Sequence, residues 1–177
     1  FTAGLLPSDA PMTLECFVSG LGEPSGGTWH SAIGAMAHLG AGLRDVASPP
    51  TTPGRHVGSL PRRVRWEPRI GAWAVPLPTI DPEIVLRSAA ADARYGPDFR
   101  YGHHARVESA WTIAGGALGI GALVMLAQLR PTRELLLRWR RRGEGPDAAT
   151  RARGRFTLTF LGEAGGHRVR AEVSGGD

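Results

Sequence analysis

From Ser109 to Leu129 the chain carries no charged side chain, and Arg130, Arg133, Arg138, Arg140, Arg141 and Arg142 follow at once. A helix needs roughly 20 residues to cross the hydrocarbon of a bilayer, and basic residues gather on the cytoplasmic side of such helices. Three readings follow. The segment spans a membrane, or it is a buried helix or oligomer interface. Or it is a monotopic hairpin, its apolar helix shallowly inserted and its arginine-rich helix lying on anionic lipid. A span is the weakest of these, since Gly and Ala add little to insertion and Gln128 opposes it. It would also part residues 1–108 from 131–177, which read as one domain. On the monotopic reading Trp111, Leu118 and Leu123 contact lipid, and Arg138, Arg140, Arg141 and Arg142 meet its headgroups. Glycines 115, 116, 119 and 121 fit small-residue helix packing, with Gly115 and Gly119 forming a GxxxG pair.

The rest of the chain has the makings of a packed domain. Hydrophobic residues form 42% and charged residues 21% of its 177 residues, which suits one domain or a large half of a two-domain protein. The net charge is +5, and all 21 basic residues are arginine. Guanidinium binds phosphate bidentately, but a chain rich in Ala, Gly and Arg, without Lys or Asn, reads as a GC-rich coding bias. The excess charge gathers between Arg130 and Arg155 without aromatic interleaving, so no nucleic-acid partner is expected. Cys16 is the only cysteine, which excludes an internal disulfide and suits a reducing compartment. Its apolar surroundings read as those of a buried thiol. No secretory signal is read at Phe1. The missing initiator Met and the stop at Ser174-Gly175-Gly176-Asp177 read as those of a piece of a longer chain.

Met12 to Ser19 alternates as a strand does. A Gly/Pro/Ser turn leads to a helix with Thr28 as N-cap and Trp29, Ile33, Met36, Gly40 and Leu43 on one face. Ser48 to Gly54 reads as a loop, and the stretch through Pro68 as basic and irregular. Arg69 to Leu77 reads as a strand that Pro76 and Pro78 confine to an edge or an early end. Asp81-Pro82-Glu83 starts a helix running to about Ala93, and Tyr95-Gly96-Pro97 breaks it. Asp98 to Val107 alternates as a half-buried strand. Pro131 opens a helix through Arg142, with Leu135, Leu136 and Trp139 on its apolar side. Arg155 to Leu161 and His167 to Val173 form a hairpin across Gly162 to Gly166. The expected class is α+β, a mixed, largely antiparallel sheet with packed helices.

Chemistry-bearing motifs are few. No Gly-x-Gly-x-x-Gly opens a strand-turn-helix unit, and no Walker loop is present. His103 and His104 are adjacent, so on a strand their rings face opposite ways and cannot share a metal. No cluster has zinc spacing, and no metal is expected. His30 and Ser31, just past a glycine turn at a helix start, are placed to face an anion or simply to cap the helix.

Several phrases in series are more specific: Gly27-Thr28-Trp29-His30-Ser31-Ala32, Asp81-Pro82 with Arg87-Ser88, Tyr95-Gly96-Pro97-Asp98-Phe99-Arg100-Tyr101, Pro131-Thr132-Arg133, Gly143-Glu144-Gly145-Pro146 with Arg151, and Val173-Ser174-Gly175-Gly176-Asp177. In this order they resemble the C-terminal part of the saccharopine dehydrogenase-like oxidoreductases, a family that includes trans-acting enoyl reductases of bacterial lipid synthesis. The resemblance covers nearly the whole chain. It implies that residues 1–177 are a substrate and dimerisation domain whose partner is an N-terminal Rossmann domain binding NAD(P) outside this stretch. It implies an acyl or lipid-linked substrate and a second domain that also serves homodimerisation; the apolar segment with its arginines adds the expectation of a cytoplasmic protein that meets an anionic membrane surface peripherally. It carries over neither cofactor glycines nor catalytic residues. His30, Ser31, Arg100, Tyr101 and His103 are the candidate substrate contacts, chosen as polar or aromatic groups in or near these phrases. The alternative is a non-catalytic scaffold held on anionic lipid by its arginine-rich helix.

Overall fold

The computed structural model describes residues 1–21, 25–38, 54–77, 79 and 81–176. The chain divides into two compact units, and the apolar segment marks one of the cuts. Phe1–Gly20, Ser48–Ser109 and Phe156–Gly175 form a sheet unit; Leu21–Ala47, Ala110–Arg155 and Gly176–Asp177 form a helical unit. The class is α+β, and the sheet is mixed and mostly antiparallel, as the sequence suggested.

Seven strands build the sheet: β1 (Met12–Leu21), β2 (His56–Ser59), β3 (Arg65–Glu67), β4 (Ala72–Pro76), β5 (Asp98–Val107), β6 (Arg155–Ala164) and β7 (His167–Gly176). Their order is β3-β4-β5-β1-β6-β7, with β2 pairing β5 off this path. The central pair is parallel, from Met12 opposite Phe99 to Val18 opposite Ala105. The other edge of β5 is shared. β2 runs parallel beside Asp98 to Tyr101, and β4 antiparallel beside His104 to Val107.

The pleat sends alternate side chains to opposite faces. On one face, Met12, Leu14, Cys16, Phe99 and Tyr101 pack with Val57 and with Leu86 and Ala89 of helix α2 (Asp81–Ala91). Each fully buried apolar side chain there contributes roughly 1.5–3 kcal/mol. On the other face Phe17 packs with Ile70, Ala72, Ala74 and Leu161. Both faces of β5 are therefore covered, with Phe99, Tyr101 and His104 all buried. The expected half-buried strand is corrected to a central one.

Other differences have local causes. The stretch taken as irregular holds β2 and β3, too short to show a period. β4 is internal, between β3 and β5. Pro76 is tolerated there because β3 pairs only as far as Ala74. Leu77 N–H turns to the carbonyl of His103 at 3.1 Å, so the N–H that Pro76 lacks would have pointed to the β3 side, beyond the reach of that strand. The break after α2 is as expected: Gly96 has φ 77° and lies so close to the Ala10 carbonyl that an added Cβ would meet it at 2.6 Å. The closing hairpin is longer and tighter than expected, turning at Gly165 and Gly166 with φ 55° and 81°.

The helical unit contains α1 (Gly26–Ala37), α3 (Ala110–Gln128), α4 (Arg130–Trp139) and α5 (Ala148–Arg153). The N-cap of α1 is Ser25 rather than Thr28, its side chain accepting from Thr28 N–H at 3.2 Å. Gly40 and Leu43 lie outside the described residues, as does most of the loop from Ser48. α1 packs against both α3 and α4. Along α1, Met36 O accepts from Gln128 Nε2 at 2.8 Å, Trp29 Nε1 donates to Leu136 O at 2.7 Å, and Gly26 N donates to Glu144 O at 2.6 Å. The partners arrive in reverse chain order, so α4 runs antiparallel to α1. Trp29 and Trp139 meet edge to face at 5.2 Å. α4 ends at Trp139, short of the expected Arg142, where Arg140 turns extended. α5, capped by Asp147, lies beyond the sequence expectation.

Candidate functional site

Register places one proton-bearing line in the sheet unit. Cys16 of β1 stands opposite His103 of β5, and Leu14 opposite Tyr101, so Cys16, Tyr101 and His103 share the face that α2 covers. Tyr101 Oη lies 3.0 Å from His103 Nδ1, and it is close enough to the Cys16 thiol for each to shift the other's titration. His103 Nε2 lies 3.9 Å from Asp81 Oδ2, at the start of α2. The His103 side chain is 9% exposed and that of Asp81 58%, so the line runs from a buried thiol to solvent. Burial pushes the Cys16 thiol up to about 11. It also raises Tyr101 and lowers His103 from their ordinary values. All three are neutral near pH 7. A neutral His103 carries one ring proton, and its tautomer sets whether Nδ1 accepts from Tyr101 or donates to it.

The opposite face holds a buried ionic network. Glu15 accepts from Arg65 at 2.5 Å and from Arg69 at 2.8 Å. Glu67 accepts from Arg69 Nε at 2.7 Å and from Arg65 at 3.1 Å. Arg69 also reaches Glu163 at 3.0 Å. The Arg69 hydrogen bond holds the Glu67 carboxyl down at about 2. His104 stacks on Phe17 at 5.4 Å, and its Nδ1 is 4.0 Å from Glu15, too far for a hydrogen bond. Gly102 makes room for this packing, since an added Cβ would meet His104 Cε1 at 2.7 Å. With two acids, two arginines and no free lone-pair cradle, this cluster reads as a structural brace.

The sequence candidates divide accordingly. Tyr101 and His103 come together. Arg100 lies on the other face of β5, pairing with Asp98 at 3.1 Å. His30 and Ser31 belong to the helical unit. Ser31 is exposed, whereas both ring nitrogens of His30 are occupied: Nε2 meets Arg140 O at 2.9 Å, and Nδ1 accepts from Arg142 Nε at 3.3 Å. His30 thus ties down the segment after α4, and no nitrogen remains for an anion. Cys16 and Asp81 were missing from the candidates, because only the β1–β5 register and the placement of α2 bring them to Tyr101. An open cleft of about 440 Å³ lies elsewhere, lined by residues of the β6–β7 turn with Pro11 and Thr13.

The apolar segment forms one helix, as expected, but it is not buried within this chain. Only 6% of its most apolar window is covered, and Ala127 is its one buried residue. Trp111, Leu118, Ile120 and Met125 are all exposed, while Leu123 is half-buried. Cβ atoms added at Gly115, Gly116, Gly119 or Gly121 would meet nothing within 4 Å, so among the described residues no other element packs on the small-residue face. α4 exposes Leu135 and Trp139 beside Arg138. A single crossing by α3 is ruled out by connectivity: β5 before it and β6 after it belong to one sheet. α4, 10 residues long and rising about 15 Å, carries arginines and is too short to cross back.

The start of α1 is the place nearest in form to a dinucleotide site, since it follows β1 in the chain across a glycine-rich stretch of sequence. It does not fit. Gly26 N–H is taken by Glu144 O and Thr28 N–H by Ser25 Oγ, and a Cβ at Gly26 would collide with Arg141 O. The amides a pyrophosphate needs are covered by the chain itself. Among the described residues no group of three metal-ligating side chains converges. No family model matches this chain, and comparison with characterised proteins and with solved structures finds no match.

Proposed function

We propose that this chain is the substrate-covering part of a saccharopine dehydrogenase-like NAD(P)-dependent oxidoreductase acting on an acyl or lipid-linked substrate. The observation that carries the reading is the line Asp81–His103–Tyr101–Cys16. The phrase from Tyr95 to Tyr101, on which the family resemblance leans, leads straight into it. Reductions of enoyl or keto groups need a proton delivered in a water-poor place, and a largely buried histidine, held by a buried tyrosine and reaching toward a solvent-facing carboxylate, can supply one. In this arrangement His103 takes a proton at Nε2 from solvent by way of Asp81 and gives it to the substrate, returning to neutral, while Tyr101 holds the ring at Nδ1. The substrate is taken where the line reaches the surface, beside His103. The dinucleotide is held mainly by residues outside this stretch, consistent with the covered start of α1.

The test is NAD(P)H consumption by the full-length protein with enoyl- and keto-acyl substrates. Turnover should fall on Tyr101→Phe and on His103→Gln, with little change in KM. Absence of consumption with either substrate class, or full activity in both variants, would remove the reading.

A second reading, a non-catalytic scaffold on a cytoplasmic membrane surface, is favoured by the exposure of α3. It predicts no NAD(P)H consumption alongside intact lipid binding.

A further inference from the structure

The exposed apolar surface of the helical unit leads to an inference independent of any reaction. We infer that it docks into one leaflet of an anionic phospholipid bilayer, with α3 submerged in the plane of the membrane and α4 at the depth of the phosphates.

The first argument separates lipid from a second copy of the chain. Trp111, Leu118 and Met125 recur every seven residues and so form one stripe along α3. Ile120 stands nine residues from Trp111, two and a half turns at 3.6 residues per turn, and so on the opposite side. Side chains on both sides are exposed, Leu118 at 76% and Ile120 at 57%. A partner helix covers one further side of a helix, whereas acyl chains cover every side that α1 leaves open. A surface helix that stays at the headgroups keeps a polar face. α3 has none, which places it deeper.

Charge gives the second argument. Nine arginines and three acids lie between Ala110 and Arg155. α4 places the exposed Leu135 and Trp139 one turn apart, with Arg138 between them. That is the pattern of a helix lying at an anionic interface, apolar residues down and guanidinium groups toward phosphate. The third argument is connectivity. The chain leaves the sheet after β5 and rejoins the same sheet at β6, so both ends of the α3–α4 segment lie on one side of the membrane.

The test uses the full chain with vesicles of phosphatidylcholine, with and without phosphatidylglycerol, separated by flotation. The protein should float with the anionic vesicles and be released by salt. Each Arg→Gln change at Arg138, Arg141 or Arg142 should lower partitioning about fivefold. Leu118→Glu and Ile120→Glu should each abolish flotation while leaving the circular dichroism spectrum unchanged. Lipids brominated along the acyl chain should quench fluorescence less in Trp111→Phe than in the parent. An impermeant thiol reagent added outside the vesicles should label both Glu108→Cys and Gly145→Cys, whose positions are exposed while Cys16 is buried. Flotation insensitive to lipid charge would overturn the inference, as would protection of one flank alone. A concentration-dependent dimer that Leu118→Glu dissolves, with no flotation, would assign the surface to a second copy instead.

Discussion

In the sheet unit Glu15, Glu67 and His104 are buried between strands, whereas in the helical unit Trp111, Leu118, Met125, Leu135 and Trp139 face outward. Each unit departs from the usual sorting of side chains, in opposite directions. The buried acids are tolerable because Arg65 and Arg69 bring four charge-assisted contacts of 2.5 to 3.1 Å, which offset lost hydration. The exposed apolar helix has no such internal compensation. The lesson is that one departure is satisfied by neighbouring side chains, whereas the other is left open by the described residues.

The contrast can be broken first where packing is densest. Phe17→Ala removes a side chain 1% exposed that also stacks on His104, and should cost about 4 kcal/mol by urea denaturation. Glu15→Ala, which takes one of two buried acceptors from Arg65 and Arg69 and leaves them Glu67, should cost about 2 kcal/mol. A loss under about 0.5 kcal/mol, the level of an ordinary surface change, would mean the network is ornamental. Leu118→Gln on α3 should shift stability in aqueous buffer by less than about 0.5 kcal/mol in either direction. A loss several times larger would show that α3 is held inside the protein after all.

A subtler change comes with pH. Burial lowers His103 and His104 below the ordinary 6.5, so the unfolded chain binds protons more readily than the folded one. The stability they contribute is complete above pH 6.5 and is lost as pH falls below it. Glu67, about 2 in the fold against an ordinary 4.5, adds a second loss below pH 4.5. Urea midpoints should fall in those two steps. His104→Phe, which keeps a ring on Phe17 but cannot charge, should flatten the first. A midpoint constant from pH 7 to 5 in the parent would contradict the burial of both rings.

Much of this was readable from residues alone where the signal was local. Alternation marked β5 from Asp98 to Val107, Asp81-Pro82-Glu83 marked the start of α2, and adjacency alone put His103 and His104 on opposite faces. The limits were set by distance along the chain. Glu15 alternates as a solvent-facing residue would, because the arginines that cover it come from positions 65 and 69. β2 and β3 hold four and three residues, too few for a period, and exist because β5 and β4 offer them an edge. The tie between Tyr101 and Cys16 depends on a parallel register across more than eighty residues, which no local pattern encodes. His30 looked like a ligand group until the carbonyl of Arg140 was found on it.

The position of α3 in the chain order bears on how the protein is made. β1 to β5 precede it and can pair as soon as they emerge, but β6, which pairs with β1 in the finished sheet, and β7 beyond it are synthesised only after it. For that interval a nascent chain carries an unprotected greasy helix and an incomplete β1 edge, a combination prone to misassembly. Early capture of the helix by a bilayer, before the last hairpin closes, would shield the growing polypeptide through its most vulnerable stage.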